Sequence, residues 1–156
     1  FWPQNKLEVQ INEMLNNKYD FSFTDIKYFS NLSDKNKKKT DLPNNYDFNK
    51  FIGKSTMSTS SILIKRSIIK DIRFKNVKHE DYLFKCDLLR NGNISFKIFD
   101  TFVYYRINDN SRSSDKLLNL YNLWKINKFY NNFNFIKNFK SILSISYNSL
   151  KTYGWK

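Results

Sequence analysis

His79, Glu80 and Asp81 stand together in VKHEDYLFKCDLLRNG, residues 77 to 92, of a chain whose formal net charge is +13. A carboxylate pair offers a general base, and an imidazole can move a proton or hold a metal. Residues 80 to 90 read as a helix closed by Asn91 and Gly92, which suit a left-handed C-terminal cap. The acid pair then lies in the first turn, where backbone N–H groups and the macrodipole favour a carboxylate by about 0.3–1 kcal/mol. That role accounts for one acid better than for two. Adjacent residues on a helix point about 100° apart, so the protein can hold one carboxylate while its neighbour faces a cleft. Asp81 or Glu80 is then a candidate base, and His79 reads as a loop residue.

Two further polar sets are candidates. Ser58, Thr59 and Ser60 precede a short apolar run and can either satisfy local backbone groups or donate to sugar hydroxyls in a pocket. DNSRSSDK, residues 109 to 116, brings Arg112, serines and Lys116 together, which suits anionic oxygen or a capped linker equally. Lys37, Lys38 and Lys39 lie in a polar run from Asn31 to Asn45 without interleaved aromatics, so a solvated loop is preferred to a nucleic-acid patch.

The elements that must position these groups follow from periodicity. Trp2 and Pro3 precede a helix whose apolar face is marked by Leu7, Ile11 and Met14 or Leu15. YDFSFTD, residues 19 to 25, alternates in the manner of a half-buried strand. Ser61 to Ile64 reads as a short strand, followed by a brief helix carrying Ile68, Ile69 and Ile72. After Gly92, NISFKIF and DTFVYYRIN read as two strands joined by a bend at Asp100. Two helices fill the tail, and in the second Ile136, Phe139, Leu143, Tyr147 and Leu150 form an apolar stripe. Core packing is the expected fate of that stripe. The rival is an interfacial helix on an anionic membrane, because no acidic residue follows Asp115 while seven lysines do.

A chain of 156 residues, 40% of them hydrophobic, can bury one real core. The single Cys86 excludes an intrachain disulfide and a thiolate metal site, which suits a reducing compartment and favours the cytoplasm. No stretch approaches the ~18 apolar residues of a membrane span.

Taken in order, these segments resemble the second half of a bacterial family-2 glycosyltransferase of the GT-A fold, of the teichuronic acid or surface-polysaccharide type. FWPQNKLEVQINEM resembles the family's W-x-P-x-K-L-x-x-Q helix, and YDFSFTD the strand after it. STMSTSSILIKRSII resembles the acceptor-side T-S-S/T segment, HEDYLFKCDLLRNG the E-D helix, and YYRINDNSRSSDK the Y-R-x-x-x-x-S-x-S-x-x-K loop. The resemblance implies an α/β fold: the acceptor-side portion of a GT-A domain with a mixed sheet at residues 1–113, then basic amphipathic helices at 114–156. It implies transfer of a sugar from a nucleotide-sugar donor to a polysaccharide or lipid-linked acceptor with inversion, in cell-surface glycan synthesis. Asp81 would be the base and Glu80 would help place it, in a cleft that raises the pKa of Asp81. Arg106, Ser111, Ser113 and Lys116 would close over the donor diphosphate, and Ser58, Thr59 and Ser60 would line the acceptor side. A divalent metal, magnesium or manganese, is implied for the full-length enzyme and none for this chain alone, which is expected to be inactive because the nucleotide-binding half precedes these motifs in the family. The partners implied are substrates and, peripherally, an anionic membrane at the inner face of the plasma membrane, with no nucleic acid. Lys85 and Asp87 depart from the family, many members of which carry an aromatic and an Arg there. The competing class is a non-enzymatic basic module that binds anionic membranes.

Overall fold

The computed structural model describes residues 1–29, 38–39, 42–106 and 116–153. Helix α1 (Lys6–Asn16) leads into β1 (Phe21–Phe29), and the short strands β2 (Lys38–Lys39) and β3 (Asn45–Tyr46) precede α2 (Phe48–Lys54). A 3-10 turn (Thr59–Ser61), β4 (Leu63–Ile64) and α3 (Arg66–Ile69) come next, then α4 (Glu80–Arg90), β5 (Ser95–Arg106), α5 (Lys116–Tyr130) and α6 (Phe135–Tyr153). The sheet is mixed, in the order β2-β1-β5-β3 with β4 pairing to β1 off that path. Its central pair, β1 and β5, runs parallel, which requires the long crossover through α2, α3 and α4. The α/β class and the mixed sheet match the expectation.

Several local expectations are corrected. The run from Asn31 to Asn45 is not loop throughout, because Lys38–Lys39 pairs with β1 and Asn45 begins β3. The two strands expected after Gly92 are one, β5, whose partner shifts from Thr24↔Ile98 to Asp25↔Phe102. Phe99, Asp100 and Thr101 therefore bulge opposite a single step of β1, and the bend expected at Asp100 is this bulge. The strand survives because β1 supplies partners on either side.

Strand β1 is buried almost throughout rather than on one face. Its polar residues are covered by polar partners: Gln10 of α1 donates to Ser22 Oγ at 2.9 Å, and Lys97 of β5 forms an ion pair with Asp25 at 2.8 Å. Helix α1 accordingly buries Lys6, Gln10 and Met14, while Leu7, Ile11 and Leu15 are exposed. The expected apolar face is not the one that meets the sheet, because the sheet face opposite α1 presents a serine that needs a donor.

Helix α2 was not foreseen. Asp47 caps it by accepting from the Lys50 backbone N–H at 2.7 Å, and Phe51 and Ile52 enter the core beside Phe23, Tyr46, Tyr82 and Leu88. Helix α5 is tied to this core: Tyr82 donates to Asn127 Oδ1 at 2.7 Å, and the Tyr130 hydroxyl donates to the Asp87 carboxylate. The expected boundary between 113 and 114 lies outside the described residues. Helix α6 packs on α2 and α5 through Asn138, Ser141 and Ile145, and Asn138 Nδ2 donates to the Trp124 carbonyl at 3.2 Å. Its stripe is not core, because Ile136, Phe139, Leu143, Tyr147 and Leu150 are all exposed.

Candidate active site

Helix α4 runs over the expected residues because both its ends are specified. His79 is its N-cap in a left-handed conformation, and the helix ends at Arg90, just before Gly92, whose φ of +85° suits only glycine without strain and whose N–H donates to the Leu89 carbonyl at 3.1 Å. Asn91, expected to share the left-handed cap, has φ −74° and does not. The Phe84, Cys86, Leu88 and Leu89 side chains are buried, which fixes the rotation of the helix and hence the direction of its first turn.

In that first turn Glu80 is exposed and Asp81 is half-buried, the division of labour that the 100° offset allows. Asp81 Oδ2 accepts from Thr59 Oγ1 at 2.9 Å and from Lys85 Nζ at 2.9 Å. Lys85 is 3% exposed and donates also to the Met57 carbonyl at 2.9 Å and to Thr59 Oγ1 at 3.1 Å. A four-residue step on a helix brings the acid and the base to one face, and here it joins α4 to the segment before β4.

The electrostatics correct one expectation. Burial raises the Asp81 pKa, but the Lys85 charge, the hydrogen bonds from Lys85 and Thr59 and that from the Tyr82 backbone outweigh it. The carboxyl is held below its ordinary value rather than above it. A neighbouring ammonium favours the charged form more than burial disfavours it. His79 is shifted down by burial against the pull of Asp81 and Glu80.

The 3-10 turn at Thr59–Ser61 is held from the other side by α1 and the segment before it. Trp2 Nε1 donates to the Ser60 carbonyl at 3.0 Å, and Gln10 Nε2 donates to the Ser61 carbonyl at 3.1 Å. Lys6 lies beneath, its ammonium 4.1 Å from the centre of the Trp2 ring, and burial lowers its pKa to about 8. Ser58 and Ser60 remain on the open side, their hydroxyls 3.4 Å apart.

The structure thus brings Asp81 and Thr59 into contact, with Ser58 and Ser60 on the same turn and Glu80 beside them. Arg106 is placed elsewhere, exposed at the end of β5 and in register with Phe29. Lys116 opens α5, one turn before Asn119, and Ser111 and Ser113 lie outside the described residues. Trp2, Lys6, Gln10 and Lys85 were not singled out as site residues. The four-residue spacing of Asp81 and Lys85 was the available signal for one of them. For the others the signal lay in the helix motif itself, whose Trp and Gln are the residues that clamp the turn.

Among the described residues no three His, Cys, Asp or Glu side chains converge as metal ligands. Asp81 Oδ2 is committed to an ammonium and a hydroxyl, so these residues do not fit a divalent ion. An open apolar groove between α1 and β4, lined by Ile11, Met14, Leu15, Tyr19, Leu63 and Ile64, shares no residue with the site.

No protein-family model matches the chain. The chain is 29% identical over 127 residues to a UDP-Glc:alpha-D-GlcNAc-diphosphoundecaprenol beta-1,3-glucosyltransferase of Escherichia coli, covering 80% of this chain and 49% of that protein. It is 28% identical over 131 residues to an uncharacterized glycosyltransferase of Haemophilus influenzae, covering 83% of this chain and 51% of that protein. The chain spans about half the length of the curated relatives it matches. Their similarity, over some four-fifths of the chain, supports a glycosyltransferase family for this protein.

Proposed function

We propose that this chain is the acceptor-side part of an inverting glycosyltransferase of the GT-A type, moving a sugar from a nucleotide-sugar donor to a glycan or lipid-linked acceptor at the cytoplasmic face of a cell envelope. The observation that carries the reading is Asp81. Its carboxylate is ionised, held through Oδ2 and half open, on a turn rich in hydroxyls, in a chain whose curated relatives are glycosyltransferases. In the reaction, the acceptor hydroxyl gives its proton to Asp81 as its oxygen bonds to the anomeric carbon. The bond from that carbon to the donor phosphate breaks on the opposite face, and the nucleoside diphosphate leaves with the electron pair. Fixing the carboxylate at Lys85 and Thr59 limits its rotation, which is what a base within reach of one hydroxyl requires. Glu80 orients the acceptor from the exposed side, and Ser58 and Ser60 offer it hydrogen bonds. In this reading Arg106, Ser111, Ser113 and Lys116 serve the donor diphosphate. A divalent metal, supplied with the donor half, would neutralise that diphosphate.

The test grafts this chain in place of the matching half of the E. coli relative and measures transfer from a labelled nucleotide sugar to a diphospholipid-linked glycan. Transfer is expected with the graft, and Asp81→Asn should lower it by about 10²–10⁴-fold. Equal rates for the two folded grafts would remove Asp81 as the base. The chain alone is expected to turn nothing over, and turnover by it would overturn the acceptor-side assignment.

A further inference from the structure

Helix α6 carries its apolar residues on the wrong side for a core. At about 100° per residue, Phe135, Ile136, Phe139, Leu143, Tyr147 and Leu150 fall within one arc, roughly opposite the arc of Asn138, Ser141 and Ile145. The second arc is the buried one, and it is largely polar. The first is open, with Leu143 at 53% and Tyr147 at 68% exposure. Folding alone therefore does not explain why this face is apolar.

Charge decides what covers it. Lys140 borders the stripe, Lys137 lies beyond it on the same side, and both are exposed, as are Lys125 and Lys128 on α5. Lys125 and Lys128 place their ammonium groups over the rings of Tyr121 and Phe133 at 4.4 and 5.7 Å, so cations and aromatics share this surface. From Lys116 to Lys156 the sequence holds no Asp or Glu. An aromatic and aliphatic face with lysines along one edge and no carboxylate on its helix fits an anionic, apolar-backed surface. Helix α1 makes the contrast, since its exposed Leu7, Ile11 and Leu15 share the helix with Glu8 and Glu13. Among the described residues no helix is long and apolar enough to cross a membrane, so α6 would lie along one.

We propose that the exposed stripe of α6, with Lys137 and Lys140, docks the protein on the headgroup layer of an anionic phospholipid bilayer. Phe139, Leu143 and Tyr147 enter the acyl boundary, and the lysines stay with the phosphates. This inference stands apart from sugar transfer, though an acceptor carried on a lipid would be met at such a surface.

Flotation of the chain with phosphatidylcholine vesicles, with and without about a third phosphatidylglycerol, tests it. Binding is expected to the anionic vesicles alone and to weaken with salt. Lys137→Gln and Lys140→Gln should each weaken it about fivefold. Leu143→Asp with Tyr147→Asp should abolish it while the urea midpoint stays at the wild-type value, because both positions are exposed. Asp81→Asn should float as the wild type does, so failure here and failure of the transfer reading are separable. Equal partition into neutral vesicles, or binding that survives the double aspartate variant, overturns the proposal. So does a wild-type dimer that the same variant converts to monomer, which would make the stripe a contact between copies.

Discussion

Helices α4 and α6 answer the same question in opposite ways. The apolar residues of α4 lie all round it without a clean stripe, yet most of its side chains are buried. Helix α6 carries the clean stripe, and the stripe faces outward. The difference lies in what surrounds each. Helix α4 lies among the elements of the core, with Phe51 of α2 against Tyr82 and α5 reaching it through Asn127 and Tyr130, so even Lys85 is enclosed. Helix α6 touches α2 and α5 from one side only, and that contact is made by Asn138, Ser141 and Ile145. An apolar stripe states that a helix has a face to cover; its neighbours decide whether the fold covers it.

The largest effect expected from this contrast is on stability. Leu88→Ala removes a side chain with no exposure from the enclosed side of α4 and should cost about 2–5 kcal/mol. Urea unfolding measures it, and a cost under about 1 kcal/mol would mean that α4 is not enclosed as described.

Next comes the polar interior of α4. Lys85→Met keeps the bulk but removes one partner only, leaving the half-buried Asp81 without its counter-charge, so a loss of stability is expected. Its more specific signature is in pH. The Asp81 carboxyl is depressed by Lys85, so the pair stabilises the fold above the unfolded carboxylate pKa of about 3.9. That contribution is lost as pH falls through the lower folded value. In Lys85→Met the desolvation of Asp81 remains without its opposing charge, and its pKa should rise. A carbonyl-carbon NMR titration of Asp81 reads this directly. An unmoved Asp81 would show that Thr59 and the Tyr82 backbone hold the carboxylate without Lys85.

Legibility in the sequence follows the same division. The span of α4 and the place of Asp81 in its first turn could be read because they depend on local chemistry: acids at the start, Gly92 at the end. The bulge at Asp100 was visible as a break but not as a continuous strand, since only β1 supplies the pairing across it. Helix α2 was overlooked although Asp47 with Phe48, Phe51 and Ile52 carries a cap and an apolar spacing. Burial of Lys6, Gln10 and Lys85 could not be read at all. Each is buried because of where another element sits: the Trp2 ring over Lys6, the Ser22 hydroxyl and Ser61 carbonyl at Gln10, the Met57 carbonyl and Asp81 at Lys85. The low pKa of Asp81 belongs with these, because a second acid beside it was visible and the ammonium four residues on was not weighed.

The smallest expected effect is the sharpest test of the contrast. Leu143→Ser alters the centre of the α6 stripe, and a core leucine treated so would cost several kcal/mol. At an exposed position the change should stay within about 0.5 kcal/mol of the wild type. A loss above about 2 kcal/mol, in a chain shown by sedimentation to be monomeric, would mean that another part of the molecule covers the stripe. A null effect on stability together with a loss of vesicle binding would assign the apolar residues of α6 to a surface outside the fold, in contrast to those of α4, which the fold itself encloses.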